Sequence, residues 1–213
     1  MSACTKHGPE IGTLVSDATE CPLCVAQRQN VRLIGLGHKK RTGKDTAADG
    51  LQRRGFQKIS FARRLKKTLG TLLFDDPHDR RVWDDDLRTK PLPEFWGRTP
   101  VQLLQQLGTE AVRKGIHPDF WVAVLENYIR KSPGLRFVID ACRFPNEADM
   151  VKRLGGIMVK IERPGFEAES DGRSSAHESE TALDGYTGWD EVVVNDGTKT
   201  ELYEKIEKQV LRL

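Results

Sequence analysis

The chain has 213 residues, of which 31% are charged and 38% hydrophobic, with a net charge of +3. These values suit one sizeable globular domain plus a small accessory. They exclude a membrane-spanning class, since no apolar run approaches the roughly 18 residues of a span; the opening MSACTKHGPE lacks the apolar core of a secretory signal, so the expectation is a cytoplasmic protein.

Residues 1–28 show little hydrophobic periodicity and cannot build a core of their own. They hold three of the four cysteines, in the spacing Cys4-x2-His7-x13-Cys21-x2-Cys24. Two closely spaced ligand pairs joined by a loop can close one tetrahedral site, so this segment reads as a knuckle around a structural Zn²⁺. All four positions are filled by protein, which leaves none open for catalysis. The remaining cysteine, Cys142, reads as a small buried residue. A domain boundary is expected near 28–31, with residues 29–213 forming the main domain.

VRLIGLG (31–37) is an apolar run ending in glycines and reads as a buried strand, and KDTAADGLQRRG (44–55) as a helix ending at Gly55. FQKISFA (56–62) alternates as a second strand, and RRLKKTLGTLLF (63–74) places Leu65, Leu69, Leu72 and Leu73 on one helical side. Residues 75–97 are irregular and rich in aspartate. Thr99-Pro100 then supplies an N-cap and a first helical residue. DFWVAVLENYIRK (119–131) is amphipathic and stops at Ser132-Pro133-Gly134. LRFVIDA (135–141) is a strand, Pro145 opens a helix ending at Gly155-Gly156, and IMVKIER (157–163) is a strand. Residues 164–178, rich in Gly, Ser and charge, suggest a mobile lid of about 163–178. DEVVVN (190–195) is a short strand, and Thr198 with Glu201 forms a capping box opening the terminal helix. Strands alternating with helices predict an α/β fold with a mainly parallel sheet covered on both faces.

Residues 39–67 carry eleven basic side chains against Asp45 and Asp49, and an aspartate-rich stretch follows at 75–86. Such a block fits nucleic acid, a small polyphosphate, or simply a solvated helix face. The stretch GHKKRTGKDT (37–46) narrows the choice. It approaches the phosphate-loop pattern G-x-x-x-x-G-K-[ST] but has His38 and Asp45 where glycine and a hydroxyl would stand. Its context is the required one: it follows a strand and opens a helix. Gly37 still permits the turn. Backbone amides at the helix start, with Thr42, Gly43 and Thr46, would hold phosphates, and Lys44 would reach the β- and γ-phosphates. Asp45 can serve Mg²⁺ directly or through water, and Asp140, at the end of a neighbouring strand, supplies a second carboxylate.

Several segments then resemble one family in order and spacing: GKDT (43–46), FARRLK (61–66), LLQQLGTEAVR (103–113), HPDFW (117–121), DACRFPNEAD (140–149), SSAHESETALD (174–184) and NDGT (195–198). Together they resemble the bacteriophage-type deoxynucleoside monophosphate kinases over nearly all of residues 31–213. The chain departs from that family at FARRLK, where an acidic residue and a proline often stand. The Cys/His segment lies outside the resemblance. It implies a P-loop kinase passing the γ-phosphoryl of ATP, as the Mg²⁺ complex, to a deoxynucleoside 5′-monophosphate. Lys44, Asp45, Asp140, Arg143 and Arg163 would then be catalytic, with Arg143 clamping the acceptor phosphate. Lys66, Arg98, Gln102, Gln105, Arg113 and Trp121 would contact the acceptor, the arginines and glutamines from one helical face and Trp121 or Phe120 by stacking. Arg173, in the lid, reads rather as a solvated side chain. Two other readings remain open at this point: a kinase for another small phosphate, phosphomevalonate-like, and an ATP-dependent nucleic-acid-binding protein. Against the second, no basic stripe is interleaved with aromatics. Oligomeric state is not legible, and a homodimer stays open.

Overall fold

The computed structural model describes residues 31–37, 39–165 and 181–212. The expected zinc ligands Cys4, His7, Cys21 and Cys24 lie outside these residues, as do His38, Arg173 and the expected lid from residue 166 onward.

The described chain alternates strand and helix as its periodicity predicts. β1 (Leu33–Gly37) leads through the glycine-lysine loop into α1 (Lys44–Arg53), then β2 (Phe56–Ile59) and α2 (Ala62–Phe74). Residues 75–97, expected to be irregular, contain the short helix α3 (Arg80–Trp83) and two single 3-10 turns. α4 (Pro100–Gln105) continues as Gln106–Lys114 with π-type bonding. There follow α5 (Phe120–Arg130), β3 (Arg136–Cys142), α6 (Pro145–Arg153), β4 (Ile157–Glu162), β5 (Glu191–Val194) and α7 (Lys199–Lys205), which continues over Ile206–Leu211. Both expected caps form. Thr99 and Gln102 exchange side-chain-to-backbone hydrogen bonds at the start of α4, and Thr198 and Glu201 do so at α7.

The sheet is parallel throughout, in the order β2-β3-β1-β4-β5. β1 is therefore central. The chain leaves it for the β2 edge, returns to β3, then crosses to β4 and β5, which makes the crevice beside β1, beyond the carboxyl ends of the strands, the natural ligand site. The near-continuous apolar runs follow from burial on both faces. On one face Ile34, Leu36, Val138, Val159 and Ile161 pack under Ala47, Ala48 and Leu51 of α1 and Leu202, Ile206 and Val210 of the terminal helix. On the other, Leu33, Phe137, Ile139 and Met158 meet Val122 and Leu125 of α5 and Ala148 and Val151 of α6.

One irregularity matters for the site. β1 and β3 pair Gly35 with Ile139 but Gly37 with Cys142, so β3 carries one extra residue at Asp140–Ala141. Strict alternation would put Cys142 on the same face as Val138. Instead it is fully buried among the α6-side residues. A bulge re-aims side chains locally, and here Asp140 keeps the α1 side of Val138, where it interacts with Asp45, while Cys142 turns into the opposite core.

Candidate active site

The loop between β1 and α1 is shaped by two glycines that no other residue could replace without movement. A Cβ on Gly37 would stand 2.5 Å from the Trp189 ring. Gly43 has φ of 104°, in the left-handed region, and a Cβ there would stand 2.4 Å from the Asn195 amide. Asn195, in the NDGT stretch, donates from Nδ2 to the Thr42 carbonyl at 2.9 Å, and its own N–H reaches the Glu162 carbonyl at 2.7 Å. The end of β5 thereby holds the phosphate loop in place. Thr42 Oγ1 donates to the Lys39 carbonyl at 3.1 Å. Lys44, 6% exposed, curls its ammonium onto that same carbonyl. The loop lysine thus lies along the ring of backbone it would share with a phosphate. Lys39 pairs with Asp184, on the segment leading to Trp189.

The carboxylates sit beside this loop. Lys58, on β2, bonds Asp45 at 3.0 Å and Asp49 at 3.1 Å. Burial pulls the Lys58 ammonium down, but these two partners outweigh it and its pKa is raised. Asp140 is pushed up to about 6, first by burial and then by the negative charge of Asp45; Lys58, Lys66 and a hydrogen bond from the Ser60 hydroxyl pull the other way without cancelling it. Burial and the nearby Arg88 lower the Lys66 ammonium. Asp140 is thus short of positive charge even with two lysines alongside. That deficit and the all-oxygen donor set fit a hard divalent cation such as Mg²⁺. Among the described residues no group of three or more His, Cys, Asp and Glu side chains could hold a metal, so phosphate oxygens and water would complete the shell.

A cavity of about 280 Å³ opens next to Asp140, lined by Gln52, Lys58, Ser60, Arg63, Lys66 and Trp83 among others. Trp83 donates from Nε1 to the Pro77 carbonyl at 3.0 Å, and the Lys66 ammonium lies over its ring, 5.1 Å from the centroid. Sequence reasoning missed Lys58, Arg63 and Trp83 as site residues. Lys58 and Arg63 were visible only as part of the basic block, and Trp83 sits in a stretch with no periodicity to place it.

The remaining expected residues are more scattered. Arg143 follows the end of β3, and Arg163 is exposed just past β4. Arg98 is exposed, Gln102 spends its side chain capping α4 at the Thr99 N–H, and Gln105 buries its Nε2 without a partner. Arg113 does not share their face. From Gln106 the helix takes π-type bonding, in which each residue advances less around the axis, so a face drawn at α spacing rotates away. Arg113 points inward, 8% exposed, and bonds Glu147 at 2.7 Å. Trp121 donates to the Gly108 carbonyl at 3.0 Å and meets Phe120 edge-on.

A strand running into a left-handed glycine and a buried lysine at a helix start, with a carboxylate at the end of a neighbouring strand, is the context that the phosphate-loop pattern requires. The sequence comparisons carry this further. The family described as Deoxynucleotide monophosphate kinase matches residues 99–206. A protein of Acanthamoeba polyphaga mimivirus named "Putative deoxynucleotide monophosphate kinase" is 35% identical over 187 residues, covering 82% of this chain and 93% of that one. The chain belongs to the deoxynucleotide monophosphate kinase family. Solved structures are more distant: Dephospho-CoA kinase from Campylobacter jejuni (15% identity, TM-score 0.45, 83% of this chain and 94% of that one) and TT1252 from Thermus thermophilus (17%, 0.45, 84% and 95%).

Proposed function

We propose that this kinase moves the γ-phosphoryl of ATP to a deoxynucleoside 5′-monophosphate at the carboxyl ends of β1, β2 and β3. The observation that carries the reading is that Asp140 interacts with Asp45, the residue following Lys44 of the glycine loop, beside a cavity walled by Lys66, Arg63 and Trp83. It supplies a donor side at the glycine loop and an acceptor side at the cavity, with paired carboxylates between them.

Phosphoryl transfer asks the protein for alignment and charge stabilisation rather than covalent chemistry. Gly37, Thr42, Gly43 and Thr46 cradle the donor phosphates, and Lys44 exchanges its contact with the Lys39 carbonyl for the β- and γ-oxygens. Asp45 and Asp140 would hold Mg²⁺ or its waters, and the ion would supply charge to offset that on the transferring group. Lys66 leaves the face of Trp83 to meet the acceptor phosphate, and the exposed ring is then available for the base to stack on. Arg143 clamps the acceptor phosphate and Arg163 closes from the β4 side. Arg98, Gln105 and Trp121 bound the acceptor from α4 and α5, with Gln102 at their root.

Incubating the protein with Mg-ATP and each deoxynucleoside and ribonucleoside monophosphate, with phosphomevalonate as a further acceptor, tests this. Diphosphate product with deoxynucleotides and none with phosphomevalonate is expected; the reverse pattern contradicts it. The spacing of Cys4, His7, Cys21 and Cys24 supports a structural Zn²⁺ that takes no part in transfer. Elemental analysis of purified protein should find close to one zinc per chain, lost in Cys21→Ser; a chain that stays metal-free after zinc is offered rules it out.

A further inference from the structure

Behind the turn that carries Arg143 lies a buried ion pair that the transfer reaction as described does not use. Arg113 and Glu147 are 8% and 3% exposed. One Glu147 oxygen takes the Arg113 Nη2 at 2.7 Å. The other takes two backbone N–H groups, Arg143 at 2.7 Å and Phe144 at 3.3 Å. The second terminal nitrogen of Arg113 donates to the Pro118 carbonyl at 3.0 Å and to Asn146 Oδ1 at 3.2 Å, and its guanidinium lies 3.8 Å from the Phe144 ring centroid. Asn146 in turn donates to Pro118 and to Asp119.

Stability alone does not account for this arrangement. Desolvating two charges costs about as much as the pair returns, and apolar residues of similar volume commonly do as well. A planar guanidinium that divides its donors between a carboxylate, a carbonyl and a side-chain amide does fix positions. Here it fixes the first residues after β3 relative to the α4–α5 junction: the turn bearing Arg143 is fastened to the two helices that the proposed function assigns to the acceptor. Burial raises the Glu147 carboxyl, against the pull of the Arg143 and Phe144 amides and Arg113.

We propose that Glu147 and Arg113 are positioning residues for phosphoryl transfer: the pair holds the backbone of Arg143 so that its guanidinium meets the acceptor phosphate, and couples that placement to the α4–α5 wall. The inference rests on the catalytic assignment of Arg143 made above. Arg113 then supports the acceptor site from within instead of touching the acceptor. Glu147 keeps the volume and one carbonyl-type oxygen when changed to Gln, but loses the charge that both partners need.

The test is a double-variant cycle. Turnover at saturating ATP, KM for both substrates and thermal midpoints are measured for wild type, Glu147→Gln, Arg143→Ala and the double variant. Glu147→Gln should lower kcat roughly tenfold while KM for ATP stays within about twofold, because the glycine loop is not touched. In the Arg143→Ala background the same change should cost no further turnover, although it lowers the thermal midpoint by the same amount. Arg113→Lys, which keeps the charge but not the fork, should repeat the pattern and serves if Glu147→Gln does not fold. Equal fold-losses of kcat in both backgrounds, with Arg143→Ala itself slow, would overturn this inference alone. Wild-type turnover in Arg143→Ala would overturn the Arg143 assignment and the inference with it.

Discussion

Asp140 is held where its charge is costly. An ordinary aspartate has a pKa near 3.8, and burial together with Asp45 raises this one to about 6. A raised carboxyl binds more protons in the folded than in the unfolded chain between those values, so stability falls as pH rises from near 3.8 through about 6 and stays reduced above. Asp140→Asn removes that term. In magnesium-free buffer the variant should match wild type near pH 4 and exceed it above pH 6, by at most on the order of 3 kcal/mol. Its turnover should fall on the order of a hundredfold or more. Denaturant unfolding across pH and a transfer assay check both halves; an unchanged turnover would reduce Asp140 to a turn residue. At this scale the sequence was informative where chemistry and local context coincide. The placement of Gly43, Lys44 and Asp45 at a strand-to-helix turn, and of Asp140 near a strand end, was legible because both are local features. Arg113 was misplaced because the π-type stretch that rotates it inward follows from packing rather than from residue spacing. Glu147 left a faint mark, an acid three residues past the helix cap and two past Pro145, which reads as an N-terminal signature without revealing the arginine behind it.

The elements that shape the site are fastened from behind it. α7 packs against α1, where Gly50 leaves room for the Tyr203 ring and Arg53 lies 4.8 Å from that ring's centroid. α1 begins at Lys44, so the terminal helix braces the helix whose start is assigned to the phosphates under the proposed function. Thr198→Ala breaks the capping box of α7 and should cost about 1 kcal/mol in denaturant unfolding. Its KM for the acceptor should not move, because the acceptor cavity lies on the far side of α1 from the cap. A changed acceptor KM would mean that α7 reaches the site directly. Helices and strands here were legible from period and caps alone, with boundaries displaced by one to three residues, the most at β2, expected to reach residue 62 and ending at Ile59. The β3 bulge was not, because it exists only in the pairing of β3 with β1. Nor were the short helix and 3-10 turns of 75–97, which bring Trp83 to the cavity; aspartates and prolines mark an irregular stretch without saying where its aromatics point.

At the scale of the molecule, a parallel sheet with β1 at its centre gathers residues from distant parts of the chain onto one crevice: the loop after β1, Lys58 and Ser60 by β2, Asp140 near the end of β3, and Asn195 after β5. Alternating elements made the fold class legible, whereas strand order had to be seen, since the same alternation permits several orders. The central claim is that this crevice transfers phosphoryl from a donor held by Lys44 to a deoxynucleotide. Its most direct test is to follow the label of γ-labelled ATP, with Mg²⁺ and a deoxynucleoside monophosphate, in wild type and in Lys44→Ala. Lys44 meets its loop rather than the core, so the variant should keep its fold by circular dichroism. The account predicts label in the deoxynucleoside diphosphate, equal to the ADP formed, and a loss of at least about a thousandfold in kcat for Lys44→Ala. Label released only as inorganic phosphate, or undiminished transfer by a folded Lys44→Ala protein, would contradict it.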